Sequence, residues 1–151
     1  IKSMCPKGIV ADIGADHGKL IISLVESGIA SRGFAIENKK GPYERLVAAI
    51  EEAGLIDKIT PILGDGIEPI TNEVNTIVLA GMGGLNIVQI LKKHPEKLIN
   101  VDTIICDAHN AIPMMREEIS KLGYSIADEK IVYEDDFYAI YIKDVLENNN
   151  I

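Results

Sequence analysis

Apolar residues along the chain follow two alternating patterns. Short runs that stay apolar on both faces, typical of buried parallel strands, occur at residues 9–13, 33–36, 59–63, 76–80 and 102–106. Between most of them, apolar residues recur every three or four positions, as on one face of a helix. Two further strand-like runs, 126–132 and 138–142, flank an acidic turn at residues 134–136 and predict an antiparallel hairpin.

The helical pattern predicts four helices, each bounded by glycine or proline. They cover residues 20–28, 42–54, 87–94 and 112–122, with Pro42 at the first helical position of the second. Strands that alternate with helices pair in parallel through right-handed crossovers. We therefore expect a Rossmann-like α/β fold, in which a mostly parallel seven-stranded sheet carries helices on both faces and a C-terminal antiparallel hairpin.

Composition narrows the class of protein. A length of 151 residues suits a single domain over 1–151. A content of 47% hydrophobic residues with no Trp and two Phe predicts an aliphatic core, which favours α/β over a β-sandwich.

The apolar runs are shorter than the roughly 18 residues of a membrane span, so we expect a cytoplasmic protein. Cys5 and Cys106 are expected to be free thiols. A net charge of -8 argues against a generic nucleic-acid surface, so an RNA partner would need a local basic patch.

Candidate chemistry lies where the predicted strands end. Asp12, Glu37 and Asp65 are acidic residues at three strand ends, and Gly14 permits a tight turn close to a ligand. A carboxylate at Glu37 can accept hydrogen bonds from both ribose hydroxyls of a nucleoside. Asp16 stands where a dinucleotide-binding fingerprint has its second glycine, which argues against a pyrophosphate cofactor and a nicotinamide dehydrogenase. The pattern favours a nucleoside cofactor without phosphates.

These motifs, taken in order, resemble those of a known family. The matching segments are DIGADH at 12–17, EN at 37–38, GP at 41–42, GDG at 64–66 and AGMGG at 80–84. In this combination and order they resemble the bacterial tRNA (adenine-22-N1)-methyltransferases, the TrmK family, over nearly the whole chain. The resemblance implies a class I methyltransferase fold, S-adenosylmethionine (SAM) as cofactor, and methylation of N1 of a tRNA adenine.

The resemblance also implies which residues contact SAM. Asp65 would accept a hydrogen bond from the adenine amino group, the Gly66 N–H would donate to a ring nitrogen, and Gly81 would leave room beside the sulfonium. The full set of predicted cofactor contacts is Asp12, Gly14, Glu37, Asn38, Asp65, Gly66, Gly81 and Met82.

Catalysis requires an acceptor for the positive charge that methylation places on adenine. Asp16 and Asn110 are the main candidates for this role, with His17 as a third. Asp16 and Asn110 each precede a predicted helix, so each could instead be a helix N-cap. Tyr43 and Tyr138 could stack on the target base or be ordinary half-buried residues.

The residues after the fifth strand leave the substrate open. The family carries a Gln-Pro-Asn type motif after the fifth strand, whereas residues 107–110 read DAHN and keep only the Asn. Asp107 and His109 have a spacing seen in metal sites, yet no further ligands accompany them, and we expect no metal. We expect tRNA to bind through a local patch or through a C-terminal extension of the kind the family carries. The alternatives are a SAM-dependent methyltransferase of a small molecule and a noncatalytic SAM- or nucleoside-binding domain.

Overall fold

The computed structural model of the chain describes residues 8–131 and 137–144. The predictions for Cys5, for the acidic turn at 134–136 and for the end of the sixth strand at Val132 fall outside these residues. In the described part of the chain, seven strands and four α-helices occur. The strands are β1 (Gly8–Ile13), β2 (Ala30–Glu37), β3 (Ile59–Leu63), β4 (Thr76–Met82), β5 (Thr103–Ala108), β6 (Tyr124–Ile131) and β7 (Phe137–Lys143). The helices are α1 (Lys19–Glu26), α2 (Lys40–Glu52), α3 (Gly84–Lys93) and α4 (Ile112–Lys121), with a short 3₁₀ helix at Pro95–Leu98.

All seven strands form one sheet in the order β3-β2-β1-β4-β5-β7-β6. Strands β1 to β5 are parallel, whereas β7 is antiparallel to both β5 and β6. This confirms the predicted Rossmann-like sheet and its C-terminal hairpin. From β1 the chain adds β2 and β3 toward one edge of the sheet, and from β4 it adds β5 and the hairpin toward the other edge. The direction in which strands are added therefore reverses between β1 and β4. Such a reversal opens a crevice at the carboxyl ends of the strands, where ligands bind in folds of this type.

Helices cover both faces of the sheet and form two aliphatic cores. Val10 and Ala11 are adjacent in β1 and both fully buried, but they belong to opposite cores. Helices α1 and α2 pack in the core that contains Val10, and α3 and α4 pack in the core that contains Ala11. Because both faces are buried, the central strands show no polar alternation. Cys106 lies in the second core as a buried free thiol, as expected.

Several element boundaries differ from the predictions. Helix α2 begins at Lys40, so Pro42 is its third residue and not its first. The first four N–H groups of a helix have no acceptor within the helix, so a proline is tolerated anywhere in this turn. The first hydrogen bond of α2 runs from the Tyr43 N–H to the Lys39 carbonyl. Strand β2 starts at residue 30 and β6 at residue 124, earlier than predicted, because main-chain pairing continues past the exposed polar residues 31–32 and 125 to the buried Ala30 and Tyr124.

The ends of β4 and β5 matter most for the crevice. Both strands run two residues beyond their predicted ends, because pairing continues from Ala80 opposite Asp107 to Met82 opposite Ala108. Gly81 is the extra residue between them, with a φ of 72° that favours glycine. This irregularity is a β-bulge, a feature that redirects side chains next to binding sites. Asp107, expected after the strand, is therefore held within it.

Membrane insertion through a helix finds no support in the described residues. None of their helices is both long and apolar enough to cross a bilayer.

Candidate functional site

Two cavities open at the carboxyl ends of β1, β2 and β4, and Gly14 lines both. The larger, which we call the proximal cavity, has a volume of about 320 Å³. It is lined by Asp12, Gly14, Ala15, Asp16, His17, Lys19, Leu20, Ala80, Gly81, Asp107, His109 and Tyr138. The distal cavity, of about 170 Å³, is lined by Ile13, Gly14, Ile36, Asn38, Gly64, Asp65, Gly66, Met82, Asn86 and Ile90. The crevice predicted from the strand order is thus divided at the turn after β1.

The turn between β1 and α1 is fixed to the end of β2. The N–H groups of Gly14 and Ala15 both donate to the Ile36 carbonyl, at 2.9 and 3.2 Å. Gly14 has a φ of 72°, and a Cβ added there would lie 3.0 Å from the Met82 methyl carbon. The positive φ favours glycine at this position, while the flexible end of the Met82 side chain could move away from a Cβ. The bare backbone at Gly14 can approach a ligand in either cavity.

Glu37 braces the same turn from the end of β2. Its side chain is buried, and its Oε2 accepts a hydrogen bond from the Asp16 N–H at 2.6 Å. Asp16 has a φ of 51°, an uncommon conformation for a residue with a side chain. This contact fixes the carboxylate in place, and its second oxygen can accept hydrogen bonds from a ligand hydroxyl. Sequence reasoning anticipated the carboxylate but not its partner 21 residues earlier in the chain.

A second buried carboxylate lies close to Glu37. Asp12 is only 4% exposed and lines the proximal cavity. Burial raises the pKa of the Asp12 carboxyl to about 7, and repulsion from Glu37 acts in the same direction. Because Asp16 and Asp107 line the same cavity, a positively charged ligand would find three carboxyl groups there. The charge of a bound cation would oppose burial and carboxylate repulsion and so favour the ionised form of Asp12.

The distal cavity combines apolar walls with polar groups at its edge. Ile36, Met82 and Ile90 supply apolar surface, while Asp65 and Asn38 supply hydrogen-bonding groups. The Asp65 carboxylate is exposed and forms an ion pair of 3.0 Å with Lys93 on α3. A cavity of this kind suits a planar heterocycle with an amino group at its edge.

Part of the distal cavity was missed by sequence reasoning. Asn86 and Ile90 of α3 line it, and a Cβ added to Gly66 would lie 3.2 Å from the Ile90 side chain. The spacing of these two residues in the sequence predicts that they share a helix face but not what that face contacts. They reach the cavity because α3 packs against the turn at Gly66.

The predicted catalytic residues separate into two groups. Asp16 and His17 both line the proximal cavity, with His17 Nε2 3.8 Å from Asp16 Oδ1. Asn110 is not among the residues that line either cavity. Instead its Oδ1 accepts a hydrogen bond from the Gly84 N–H at 3.1 Å, at the first residue of α3.

The alternative prediction that Asp16 or Asn110 caps the helix that follows it is wrong. The N-caps of the helices that follow them are Gly18 and Ala111, and neither helix has a side-chain cap bond. Asn110 does act as a helix cap, but for α3 rather than for α4. This could not be read from the sequence because the two partners are 26 residues apart.

Asp107, His109 and Tyr138 also line the proximal cavity. The extension of β5 past the bulge at Gly81 brings Asp107 beside the residues of the β1 turn. Tyr138 is only 3% exposed, so it is a wall of the cavity and not an exposed stacking platform. Tyr43, the other predicted platform, lines neither cavity. No group of three potential metal ligands occurs in the residues that the structure describes.

Comparison with known proteins identifies relatives along nearly the whole chain. Residues 1–141 match the family model described as a methyltransferase domain. The chain is 36% identical over 132 residues to the tRNA (adenine(22)-N(1))-methyltransferase of Bacillus subtilis, and this match covers 86% of the chain and 56% of the relative. The chain thus spans little more than half the length of this curated relative.

Solved structures agree with the sequence match. One is a Streptococcus pneumoniae protein assigned as a tRNA (m1A22) methyltransferase and solved with S-adenosyl-L-methionine. It has a TM-score of 0.85 and 32% identity, and the match covers 95% of this chain and 69% of the S. pneumoniae chain. M. capricolum TrmK, solved with S-adenosyl-homocysteine, has a TM-score of 0.80 and 27% identity, and the match covers 97% of this chain and 69% of that one. Fold, motif order and these matches together show that the chain belongs to the methyltransferase-domain family and, within it, to the TrmK family.

Proposed function

We propose that this chain is the cofactor-binding and catalytic domain of a cytoplasmic SAM-dependent methyltransferase that modifies N1 of adenine 22 in tRNA. The observation that carries the proposal is the pair of cavities that meet at Gly14. The buried Glu37 lines neither cavity itself, but its carboxylate accepts a hydrogen bond from Asp16 in the turn that lies between them. The B. subtilis relative is named for this activity, and the S. pneumoniae and M. capricolum structures contain SAM and its demethylated product.

The distal cavity fits the adenosine part of SAM. Its apolar walls suit the adenine ring, while Asp65 and the Gly66 N–H can satisfy the ring's amino group and a ring nitrogen. Glu37, the last residue of β2, would accept the ribose hydroxyls, and the next residue, Asn38, lines the distal cavity. The absence of a second glycine at Asp16 is compatible with this cofactor, since SAM has no phosphate.

The proximal cavity fits the methionine part and the acceptor base. SAM supplies a methyl group on a positively charged sulfonium, and it also carries an ammonium group. Asp12 and Asp16 place carboxyl groups where such charges would be stabilised. Gly81 is the predicted contact near the sulfonium, and its bare backbone at the bulge leaves room for it.

The acceptor chemistry needs orientation more than covalent assistance. N1 of neutral adenine has a lone pair that attacks the methyl group in line with the departing neutral thioether. The product base is a cation, so Asp16 is placed to stabilise the charge that develops, with His17 beside it. Asp107 lines the same cavity and adds a third carboxyl group on its acceptor side. The adenine would have to leave its stack to reach these groups, at a cost of a few kcal/mol.

Mass spectrometry of nucleosides tests the proposed function. The protein is incubated with SAM and unmodified tRNA that carries adenine at position 22, and the tRNA is digested and analysed. We expect 1-methyladenosine in wild-type reactions, and none when adenine 22 is replaced by guanine. SAM binding without 1-methyladenosine would contradict the proposed reaction, and no SAM binding would contradict the cofactor assignment as well.

A further inference from the structure

Two loops that approach the proximal cavity from neighbouring strands are joined to each other. The first, which we call the 81–84 loop, comprises the end of β4, Gly83 and the first residue of α3, and the second, residues 109–111, links β5 to α4. The His109 N–H donates to the Met82 carbonyl at 2.8 Å, and the Asn110 Oδ1 accepts from the Gly84 N–H at 3.1 Å. One contact is between main chains, and the other depends on the side chain of Asn110.

Helix α3 lacks a cap of its own. Its N-cap residue is Gly83, which has no side chain, so the N–H groups of the first turn have no local side-chain acceptor. Asn110 supplies an acceptor from the other loop. The positive end of the helix dipole strengthens a hydrogen bond to a side-chain oxygen at this position.

The glycine pair before α3 makes this contact possible. A Cβ added to Gly84 would lie 2.6 Å from the Asn110 carbonyl oxygen and 3.0 Å from that of Ala111. A Cβ added to Gly83 would lie 3.2 Å from Asn110 Oδ1. Ala111 itself has a φ of 55°, so the second loop turns sharply here. The two loops are therefore packed to backbone contact, a distance that only glycine allows.

The joined loops carry residues from the two sides of the proposed reaction. Gly81 lines the proximal cavity together with Asp107 and His109, and Met82 lines the distal cavity. Under the proposed function, Gly81 and Met82 would contact the cofactor, and Asp107 and His109 would face the acceptor base. We propose that Asn110 is a positioning residue, which fixes the acceptor-side loop to the cofactor-side loop through the first turn of α3. It sets the distance between methyl donor and target base without touching either.

The expected effect on turnover rests on the function proposed above. Loss of the Asn110 side chain would leave the cofactor contacts of Glu37 and Asp65 intact but free the loop at 109–111. Because in-line transfer depends steeply on distance and angle, we expect kcat to fall about tenfold or more in Asn110→Ala. The dissociation constant for SAM should change less than about twofold. Asn110→Asp keeps the oxygen acceptor and should retain activity to within about threefold.

A double variant separates positioning from simple helix capping. Gly83→Ser combined with Asn110→Ala gives α3 a local cap, and the space for it exists because the Asn110 side chain is gone. We expect this variant to recover thermal stability relative to Asn110→Ala, while kcat stays low. Recovery of kcat along with stability would mean that Asn110 is only a cap and would overturn the proposal.

Amide hydrogen exchange provides a readout that does not depend on catalysis. We expect faster exchange at residues 108–111 in Asn110→Ala and in the double variant than in the wild-type protein and Asn110→Asp. Unchanged exchange in this loop, or unchanged kcat in Asn110→Ala, would refute the positioning role. If wild-type protein methylates no tRNA, the proposed function fails, and the exchange data alone still decide whether Asn110 fixes the loop.

Discussion

Replacing Asp12 by Asn should stabilise the ligand-free protein, and more so at pH 8 than at pH 5. The Asp12 carboxyl is 4% exposed and lies near Glu37, and its pKa is raised from 3.8 to about 7. An acid whose pKa is higher in the folded state binds more protons when folded, so the free energy of unfolding falls as pH rises between the two pKa values. Asn has nearly the same shape and carries no charge, so it removes this dependence.

The magnitude follows from the pKa shift of Asp12. A shift of about three units at about 1.4 kcal/mol per unit corresponds to roughly 4 kcal/mol of destabilisation when the carboxyl is fully ionised. At pH 5 the folded carboxyl is mostly protonated, and the corresponding cost is about 1.5–2 kcal/mol. The stabilising effect of Asp12→Asn should therefore be about 2–3 kcal/mol larger at pH 8 than at pH 5.

Urea unfolding of both proteins at the two pH values measures this difference. Taking the difference between the two proteins cancels the titration of groups that they share. Glu26→Gln, an exposed substitution at the far end of α1, serves as the control and should show no difference between the pH values. An equal effect of Asp12→Asn at pH 5 and pH 8 would show that the carboxyl is ionised at both, and would refute the reasoning from burial.

Three further predictions concern the cavities and the loops. Glu37→Gln keeps the shape of the side chain and an acceptor for the Asp16 N–H but removes the charge. Calorimetry should therefore show SAM binding weakened about 10-fold to 100-fold, while Glu26→Gln should bind SAM as the wild type does. An unchanged affinity in Glu37→Gln would show that Glu37 does not bind the ribose. Gly84→Ala places a Cβ 2.6 Å from the Asn110 carbonyl oxygen. Urea unfolding should show a destabilisation of about 1–3 kcal/mol. A smaller loss would show that the two loops can separate. Lys93→Met removes the ion pair with Asp65, in which both side chains are more than 60% exposed. The free energy of unfolding should therefore change by less than about 1 kcal/mol. A larger loss would show that this ion pair stabilises the fold.

The order and type of the elements were readable from local patterns. Strands buried on both faces are apolar throughout, and helices show their buried face at a spacing of three or four residues, so the alternation along the chain was sufficient for the fold class. The boundaries at Ala30 and Lys40 were not readable, because strand pairing and helix starts depend on partners elsewhere in the chain. The same is true of the extension of β4 to Met82, which exists only because β5 continues beside it.

The sequence by itself determined which acidic residues and glycines end the strands, since a carboxylate or a positive φ angle is a property of the residue and its neighbours. Glu37 and Gly14 could therefore be proposed as site residues from the sequence alone. Tertiary structure decided which of these groups meet: it bonds Glu37 to the Asp16 N–H, places Asp107 in the proximal cavity, and withdraws Asn110 from the cavity to cap α3. These contacts join residues that are distant in the sequence, and they form only when parallel strands bring their carboxyl ends to one edge of the sheet.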